Sequence, residues 1–172
     1  MLTITPPNTK TMNKPLYTRQ SYSRNNTVAE SDMRKSLEYG VVYTVGAAGY
    51  TLVEIMWRGY SHWTMALTGG ACLALIYLNE SRHYTEPLWK RCLVGSLIIT
   101  NLELAVGFVV NMLLHWHVWD YSNRALNLFG QVCVLYSVLW FLLCVPAAKL
   151  CAALRRVFNR GYVAEREMQK AK

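Results

Sequence analysis

One carboxylate, Glu103, lies in the middle of an apolar stretch of the sequence, among leucine, isoleucine, valine and phenylalanine side chains. An unpartnered carboxylate at the centre of a bilayer costs about 2.5–3.5 kcal/mol on insertion scales, so such a residue is expected to have a partner or a function. An i, i+3, i+7, i+11 spacing places four residues on one face of a helix: Thr100, Glu103, Gly107 and Asn111. We expect this face to point into the protein rather than towards lipid.

A second group of charged and polar residues can join Glu103 at one end of the molecule. Glu54 and Arg58 are four residues apart, so they can form an ion pair on one helix. The segment that follows the apolar stretch of Glu103 carries further ionisable and amide side chains: His115, His117, Asp120, Asn127 and Gln131. We expect one outward-facing cavity with Glu103 at its floor, lined by two carboxylates, three histidines and an arginine: Glu54, Asp120, His62, His115, His117 and Arg58.

Three interpretations of this cavity remain open. It can be a structural network that holds the polar segment against the rest of the protein. It can be an ion or substrate pathway in which Glu54 and Glu103 exchange protons or bind a cation. It can also be a metal or catalytic site, for which His115 and His117 are weak candidates, because a His-x-His spacing does not place both rings on one helical face. We predict no catalytic residue and no cofactor.

The elements that position these residues are apolar helices. Apolar residues make up 53% of the 172 residues and charged residues only 16%, against about 25% charged in a typical soluble domain. The charges are also segregated, which is typical of a membrane protein. A helix needs about 20 apolar residues to cross the hydrocarbon, and four segments qualify: 37–57, 61–79, 92–114 and 132–150. We predict an all-α, integral membrane four-helix bundle, residues 37–150, with a structured outer loop between the third and fourth spans.

The two ends of the chain differ in composition from this bundle. Residues 1–36 are rich in Thr, Ser, Asn and Pro and have no apolar period, which indicates a largely disordered cytoplasmic tail. Residues 151–172 are basic and indicate a cytoplasmic C-terminal helix. The five cysteines form no Cys-x-x-Cys pair, so we expect buried, reduced side chains that serve in packing.

The distribution of Lys and Arg predicts the orientation in the membrane. All but two of the 18 basic residues lie in the two ends of the chain and in the loop between the second and third spans. Arg58 and Arg124, in the other two loops, are the exceptions. By the positive-inside rule, both termini are cytoplasmic. This topology accounts for the net charge of +8, so nucleic acid is not expected as a partner. Four helices are few for a pathway, so we expect a homo-oligomer, with parallel subunits because the charge bias is strong.

A block of residues around the predicted outer loop resembles the pattern of a known family. The block contains Trp-Asp-Tyr-Ser at 119–122, Asn-Leu-Phe-Gly-Gln-Val-Cys at 127–133, Ser137 and Trp140. Thr100 with Glu103, and Gly49 with Glu54, also match. The sequence therefore resembles, over residues 39–150, the CmpB family of bacterial multi-pass membrane proteins, which are described as type IV ABC-transporter components. Gln131 occupies a position where many members carry arginine.

The resemblance implies a transport-related component of the bacterial cytoplasmic membrane. The sequence contains no Gly-rich phosphate loop followed by Lys and Ser or Thr, so an ABC system would require a separate ATPase subunit. The contact with that subunit would lie on the cytoplasmic side, through residues 80–91 or the basic C-terminus. The alternative is a non-transporting membrane scaffold or sensor in which the polar network is structural.

Overall fold

A computed structural model describes residues 16–170 of the chain, with the side chains of 29–163 and of Met168. Four helices dominate the described chain: α1 (Leu16–Arg58), α2 (Trp63–Arg82), α3 (Leu88–Gly107) and α4 (Val134–Lys170). A π-helical segment, Phe108–Leu113, extends α3. Two short antiparallel strands, β1 (Asn127–Leu128) and β2 (Val132–Cys133), follow it. The prediction of a nearly all-α chain of four helices is confirmed.

The chain divides into two compact units, residues 1–37 and 38–172, and α1 belongs to both. Within the segment predicted as a largely disordered tail, 1–36, the structure describes residues from 16 onwards, where α1 begins. The three prolines of this end lie before that point, at positions 6, 7 and 15, so nothing after them interrupts a helix. Residues 1–15 lie outside the described chain. All contacts discussed below lie within the second unit.

The basic C-terminal segment, residues 151–172, is helical within the described chain. It continues α4 without a break from the apolar segment as far as Lys170. Pro146 lies inside this helix, where it removes one backbone hydrogen bond that neighbouring groups in a membrane protein can replace. Residues 171 and 172 lie outside the described chain.

Two of the described helices are long and apolar enough to cross a membrane. They are Leu88–Leu113, which joins α3 to its π-helical extension, and Val134–Val163 in α4, each with a mean hydropathy of 2.0. Only 33% and 22% of their most apolar windows are buried, whereas the core helix of a soluble protein would be mostly covered. The remaining apolar surface therefore requires lipid or another partner. In α1 and α2, glycine, threonine and tyrosine are interspersed among the apolar residues and lower the mean hydropathy of these helices.

The helices pack closely where small residues replace bulk. A Cβ added at Gly46 of α1 would lie 2.5 Å from the Leu73 Cβ and 2.7 Å from the Gly69 carbonyl oxygen of α2. Small residues permit this kind of approach between helices in membranes. A buried cluster then joins α2, α3 and α4 through Ile76, Ile99 and Trp140. All five cysteines are free and buried, so their predicted state is confirmed.

Candidate functional site

The π-helical segment places Asn111 at the centre of a hydrogen-bond network. Its Nδ2 donates to the Gln131 Oε1 over 2.8 Å and to the Trp119 carbonyl oxygen over 3.0 Å. Its Oδ1 accepts from the backbone N–H of Val118 over 2.7 Å. Asn111 and Gln131 are both buried. A π-helical turn within an α-helix is rare and often marks a functional position; here it directs one amide into the loop that follows.

Two further hydrogen bonds hold the loop 114–131 together where it lies over Gly107 of α3. The Trp119 Nε1 donates to the Gln131 carbonyl oxygen over 2.9 Å, and the Gln131 Nε2 donates to the Phe129 carbonyl oxygen over 3.0 Å. Gly107 lies beneath both side chains. A Cβ there would come within 2.5 Å of the Gln131 Oε1 and 2.9 Å of the Trp119 Cζ2. The absence of a side chain at Gly107 is therefore what allows the loop to lie this close to the helix.

Asp120 and Asn127 shape the exposed part of the same loop. The Asp120 Oδ1 accepts from the Ser122 hydroxyl over 2.5 Å and from the Ser122 backbone N–H over 2.8 Å. These two hydrogen bonds lower the pKa of Asp120 below its ordinary value. The Asn127 side chain donates to the Arg124 carbonyl oxygen and accepts from the Gly130 N–H. Both residues therefore order the turn.

Glu54 and Arg58 form the ion pair that their spacing predicts. The Arg58 Nη2 lies 2.7 Å from the Glu54 Oε1, and the Ser61 hydroxyl donates to the Glu54 Oε2 over 2.5 Å. The Arg58 Nη1 also donates to the Val118 carbonyl oxygen over 3.1 Å. The pair thus connects the end of α1 to the outer loop.

Glu103 lies deeper and has a different environment. It is 1% exposed, and its Oε2 accepts from the Trp140 Nε1 of α4 over 2.7 Å. Its Oε1 has no hydrogen-bond partner among the described residues. One turn away, Thr100 contacts the Ser137 hydroxyl of α4 at 3.1 Å. The helix face predicted to point inward therefore does so, and one buried carboxylate oxygen on it is left unsatisfied.

A cavity of about 770 Å³ lies between α1, α4 and the outer loop. Its charged lining residues are Glu54, Arg58 and Asp120, and Trp140 forms part of its wall. Trp140 therefore touches both the cavity and the buried Glu103. Aromatic rings continue along this wall, with Tyr136 stacked on Tyr121 at 4.4 Å between centroids. Burial raises the pKa of Tyr121 well above its ordinary value, so its hydroxyl remains neutral.

The residues predicted to form the pathway or polar network therefore have three different positions in the structure. Glu54, Arg58 and Asp120 line the cavity, and Glu103 is linked to it through Trp140. Asn111, Gln131 and Asn127 serve the docking and the turn of the loop, as described above. Thr100 contributes to the contact between α3 and α4.

The two histidines proposed as weak metal candidates lie in the connection after the π-helical segment. Both have left-handed backbone conformations, with φ of 54° at His115 and 50° at His117. Among the residues that the structure describes, no group of three or more His, Cys, Asp and Glu side chains could hold a metal ion. A third histidine, His62, lies beside Trp116, with 5.8 Å between the centroids of the two rings.

Sequence reasoning missed several partners of these groups. Ser61 and Tyr136 were not singled out as site residues, and Ser137 and Trp140 were noted only within the family pattern. A signal existed for Ser137 and Trp140, because they are three residues apart, as are Thr100 and Glu103. Matched spacing on two helices is typical of two faces that pack together.

The exposed apolar helices and the buried carboxylate between them define a helical membrane protein. The family comparison is more specific. The chain belongs to the CmpB family, whose description reads "Putative ABC-transporter type IV" and whose model matches residues 39–160. No curated protein and no solved structure matched the chain.

Proposed function

We propose that this chain is a transport-related component of an ABC-type membrane system, with the cavity between α1 and α4 as its substrate or ion site. Membership of the family supports the transport role. The observation that carries the proposal is the Glu103 carboxyl, which is buried beside the cavity wall with one oxygen unsatisfied. A purely structural acid would be expected to have both oxygens satisfied, because an unmade hydrogen bond in the interior costs about 1–3 kcal/mol.

In this proposal Glu103 binds the proton or cation that accompanies transport. Trp140 holds one carboxyl oxygen in place, and the other oxygen is left to receive the ion. Glu54 is held by Arg58 and Ser61 at the mouth of the cavity. The two carboxylates would therefore have different roles. Glu54 would stabilise the mouth of the cavity, and Glu103 would take up the proton or bind the cation inside it. This arrangement is typical of ionisable residues that mark ion paths in membranes.

The proposed topology has four crossings, both termini in the cytoplasm of a bacterial cell and the outer loop outside. The Lys and Arg distribution supports it. The outer ends of α1 and α2 carry the exposed rings of Trp57, Tyr60 and Trp63, which are typical of an interfacial aromatic belt. In domain terms, we propose 1–36 as a cytoplasmic segment, 37–150 as the membrane domain and 151–172 as a cytoplasmic extension of α4.

A separate ATPase subunit would supply the energy for transport. Its proposed contact is the cytoplasmic end of the bundle, where Arg91 of α3 forms an ion pair with Glu80 of α2 over 2.5 Å. The basic C-terminal part of α4 lies on the same side in the proposed topology. We also propose a parallel homo-oligomer, because four helices enclose little space for a pathway.

The test is reconstitution of the purified chain, together with the ATPase that is encoded beside it or copurifies with it, in proteoliposomes. We expect ATP hydrolysis by that subunit to rise several-fold when the chain is present. As a control, the ATPase is measured in the same liposomes with an unrelated four-helix membrane protein. Equal hydrolysis in both samples would contradict the transport role.

A scaffold or sensor is the second candidate function. The observation that favours it is the saturated network of Asn111, whose amide makes three hydrogen bonds that only fix the loop. The same network is equally compatible with a transporter that needs a rigid outer cap. Because this network fits both functions, they are distinguished by whether activity requires a titratable carboxyl at Glu103.

A further inference from the structure

We infer that the cavity between α1 and α4 binds a membrane phospholipid whose headgroup carries an ammonium ion. The inference rests on the proposed function for the placement of this face in the bilayer, and it names the class of ligand that the cavity would take. Its basis is the shape of the cavity, the side on which it is exposed and the chemistry of its charged end.

The shape fits an elongated amphipathic molecule. The lining residues of α4 extend from Tyr136 to Pro146, about 15 Å along a helix at 1.5 Å per residue. Along α4 this wall is largely apolar and includes Leu139, Leu142 and Leu143. The volume of about 770 Å³ lies within the range of sites that enclose mostly apolar ligands, about 300–1,000 Å³.

The cavity is bordered by side chains suited to lipid. Met56 is 87% exposed, Trp57 71% and Leu142 57%, and all three belong to the lining. Large apolar residues at such exposure need an apolar surrounding. An alkyl chain could therefore enter from the side, between α1 and α4, without crossing a polar barrier.

The charged residues of the cavity lie together near the outer loop, where α1 ends. Glu54 and Arg58 neutralise each other at 2.7 Å. Asp120 makes its hydrogen bonds through Oδ1 to Ser122, and it forms no salt bridge with a described residue. The polar end therefore has one carboxylate in excess, which disfavours a net anionic headgroup and favours one that carries a positive charge.

Aromatic rings next to Asp120 strengthen this assignment. Four rings in the lining belong to Trp57, Tyr60, Trp119 and Tyr121. The Arg58 guanidinium carbon lies 4.7 Å from the centroid of the Tyr60 ring, so this ring is already covered and the other three remain for a ligand. Aromatic faces combined with a carboxylate are the usual means of ammonium recognition.

The test is native mass spectrometry of the full-length protein, purified in detergent and exposed to an equimolar mixture of phosphatidylethanolamine and phosphatidylglycerol. We expect at least a five-fold preference for phosphatidylethanolamine. Asp120→Asn keeps the Oδ1 acceptor for Ser122 but removes the charge, so the preference should fall to near equality. Leu142→Trp should fill the cavity and reduce retention of both lipids, and Leu139→Trp provides a second filling variant.

The control is Leu75→Trp, which adds the same bulk at an exposed position of α2 outside the cavity lining and should bind as the wild type does. Equal retention of both lipids by the wild type, or a preference unchanged in Asp120→Asn, would overturn the headgroup assignment. Undiminished retention in both filling variants would overturn the cavity as the site. ATP hydrolysis that still rises with the chain in any of these cases would leave the proposed transport function intact.

Discussion

The indole Nε1 of Trp140 donates a hydrogen bond to the Glu103 Oε2 over 2.7 Å, and so joins α4 to α3 inside the protein. The same indole lines the cavity on its other side. Any molecule in the cavity would therefore touch the residue that positions the buried carboxyl. Trp140 is the proposed link between binding in the cavity and the state of Glu103.

Replacing Trp140 with Phe should destabilise the protein by removing the described partner of Glu103. A hydrogen bond to a charged group is worth about 1.5–3 kcal/mol, and the lost packing adds to this. A double-mutant cycle that combines Trp140→Phe with Glu103→Leu separates the energy of the hydrogen bond from the packing lost with the indole. We expect a coupling energy of about 1–2 kcal/mol, measured by unfolding in detergent. Additive effects of the two substitutions would show that the hydrogen bond contributes nothing.

Gly107→Ala should loosen the outer loop. The added Cβ would come within 2.5 Å of the Gln131 Oε1, and overpacking of this kind costs about 1–3 kcal/mol. Gly49→Ala is the matched control, because a Cβ at Gly49 has no atom within 4 Å and alanine favours a helix by about 0.5–1 kcal/mol over glycine. Melting temperatures in detergent should fall for the first and stay level or rise for the second. Equal changes in the melting temperatures of the two variants would contradict the tight contact at Gly107.

Asn111→Ala should uncouple the loop from the π-helical segment. The substitution leaves the Val118 N–H and the Gln131 Oε1 without their partner, at a cost of about 2 kcal/mol for unsatisfied buried groups. Limited proteolysis between α3 and α4 should become several-fold faster. Asn101→Ala, which removes one hydrogen bond on an exposed face of α3, serves as the control. Proteolysis at the same rate in both variants would argue against the network.

The turn around Asp120 should loosen in acid. Hydrogen bonds from Ser122 lower the pKa of Asp120 in the folded protein, so their stabilising effect is complete above the ordinary value of about 3.9. It is lost as the pH falls through the lowered value. Hydrogen exchange in the loop, corrected for intrinsic rates, should therefore rise below about pH 4. In Asp120→Asn this rise should be absent, and an identical rise in that variant would assign the effect to another group.

Cysteine labelling tests the proposed topology. Tyr84 lies in the connection between α2 and α3, and Arg124 lies in the outer loop; both are exposed. The five native cysteines are buried and should react slowly with a membrane-impermeant maleimide. Applied to intact cells, the reagent should label Arg124→Cys and leave Tyr84→Cys unlabelled until the membrane is opened. The opposite pattern would invert the topology.

The spacing of residues along the chain was sufficient to predict contacts within one helix. The ion pair of Glu54 with Arg58 and the inward face of α3 both follow from a period of 3.6 residues. Contacts between helices were beyond this reasoning, because they depend on how each helix is rotated and how far it is shifted along its axis. The matched spacing of Ser137 and Trp140 with Thr100 and Glu103 was therefore a signal that the two faces could pack, but it did not by itself assign Trp140 to Glu103 or Ser137 to Thr100.

Two other features were hidden for different reasons. The π-helical turn at Asn111 depends on the docking of the loop 114–131, which no local sequence pattern records. The start of α1 at Leu16 could not be read from the composition, because a polar segment without breaking residues can be either helical or unstructured.

The central claim, that Glu103 works in transport rather than in packing alone, is tested most directly by Glu103→Gln. Glutamine retains the shape and an oxygen to accept from the Trp140 Nε1, but it cannot titrate. We predict that the variant unfolds at the temperature of the wild type while its stimulation of ATP hydrolysis in proteoliposomes falls at least ten-fold. Full stimulation by Glu103→Gln, together with collapse of the fold in Glu103→Ala, would show that the carboxyl is structural and would contradict the claim.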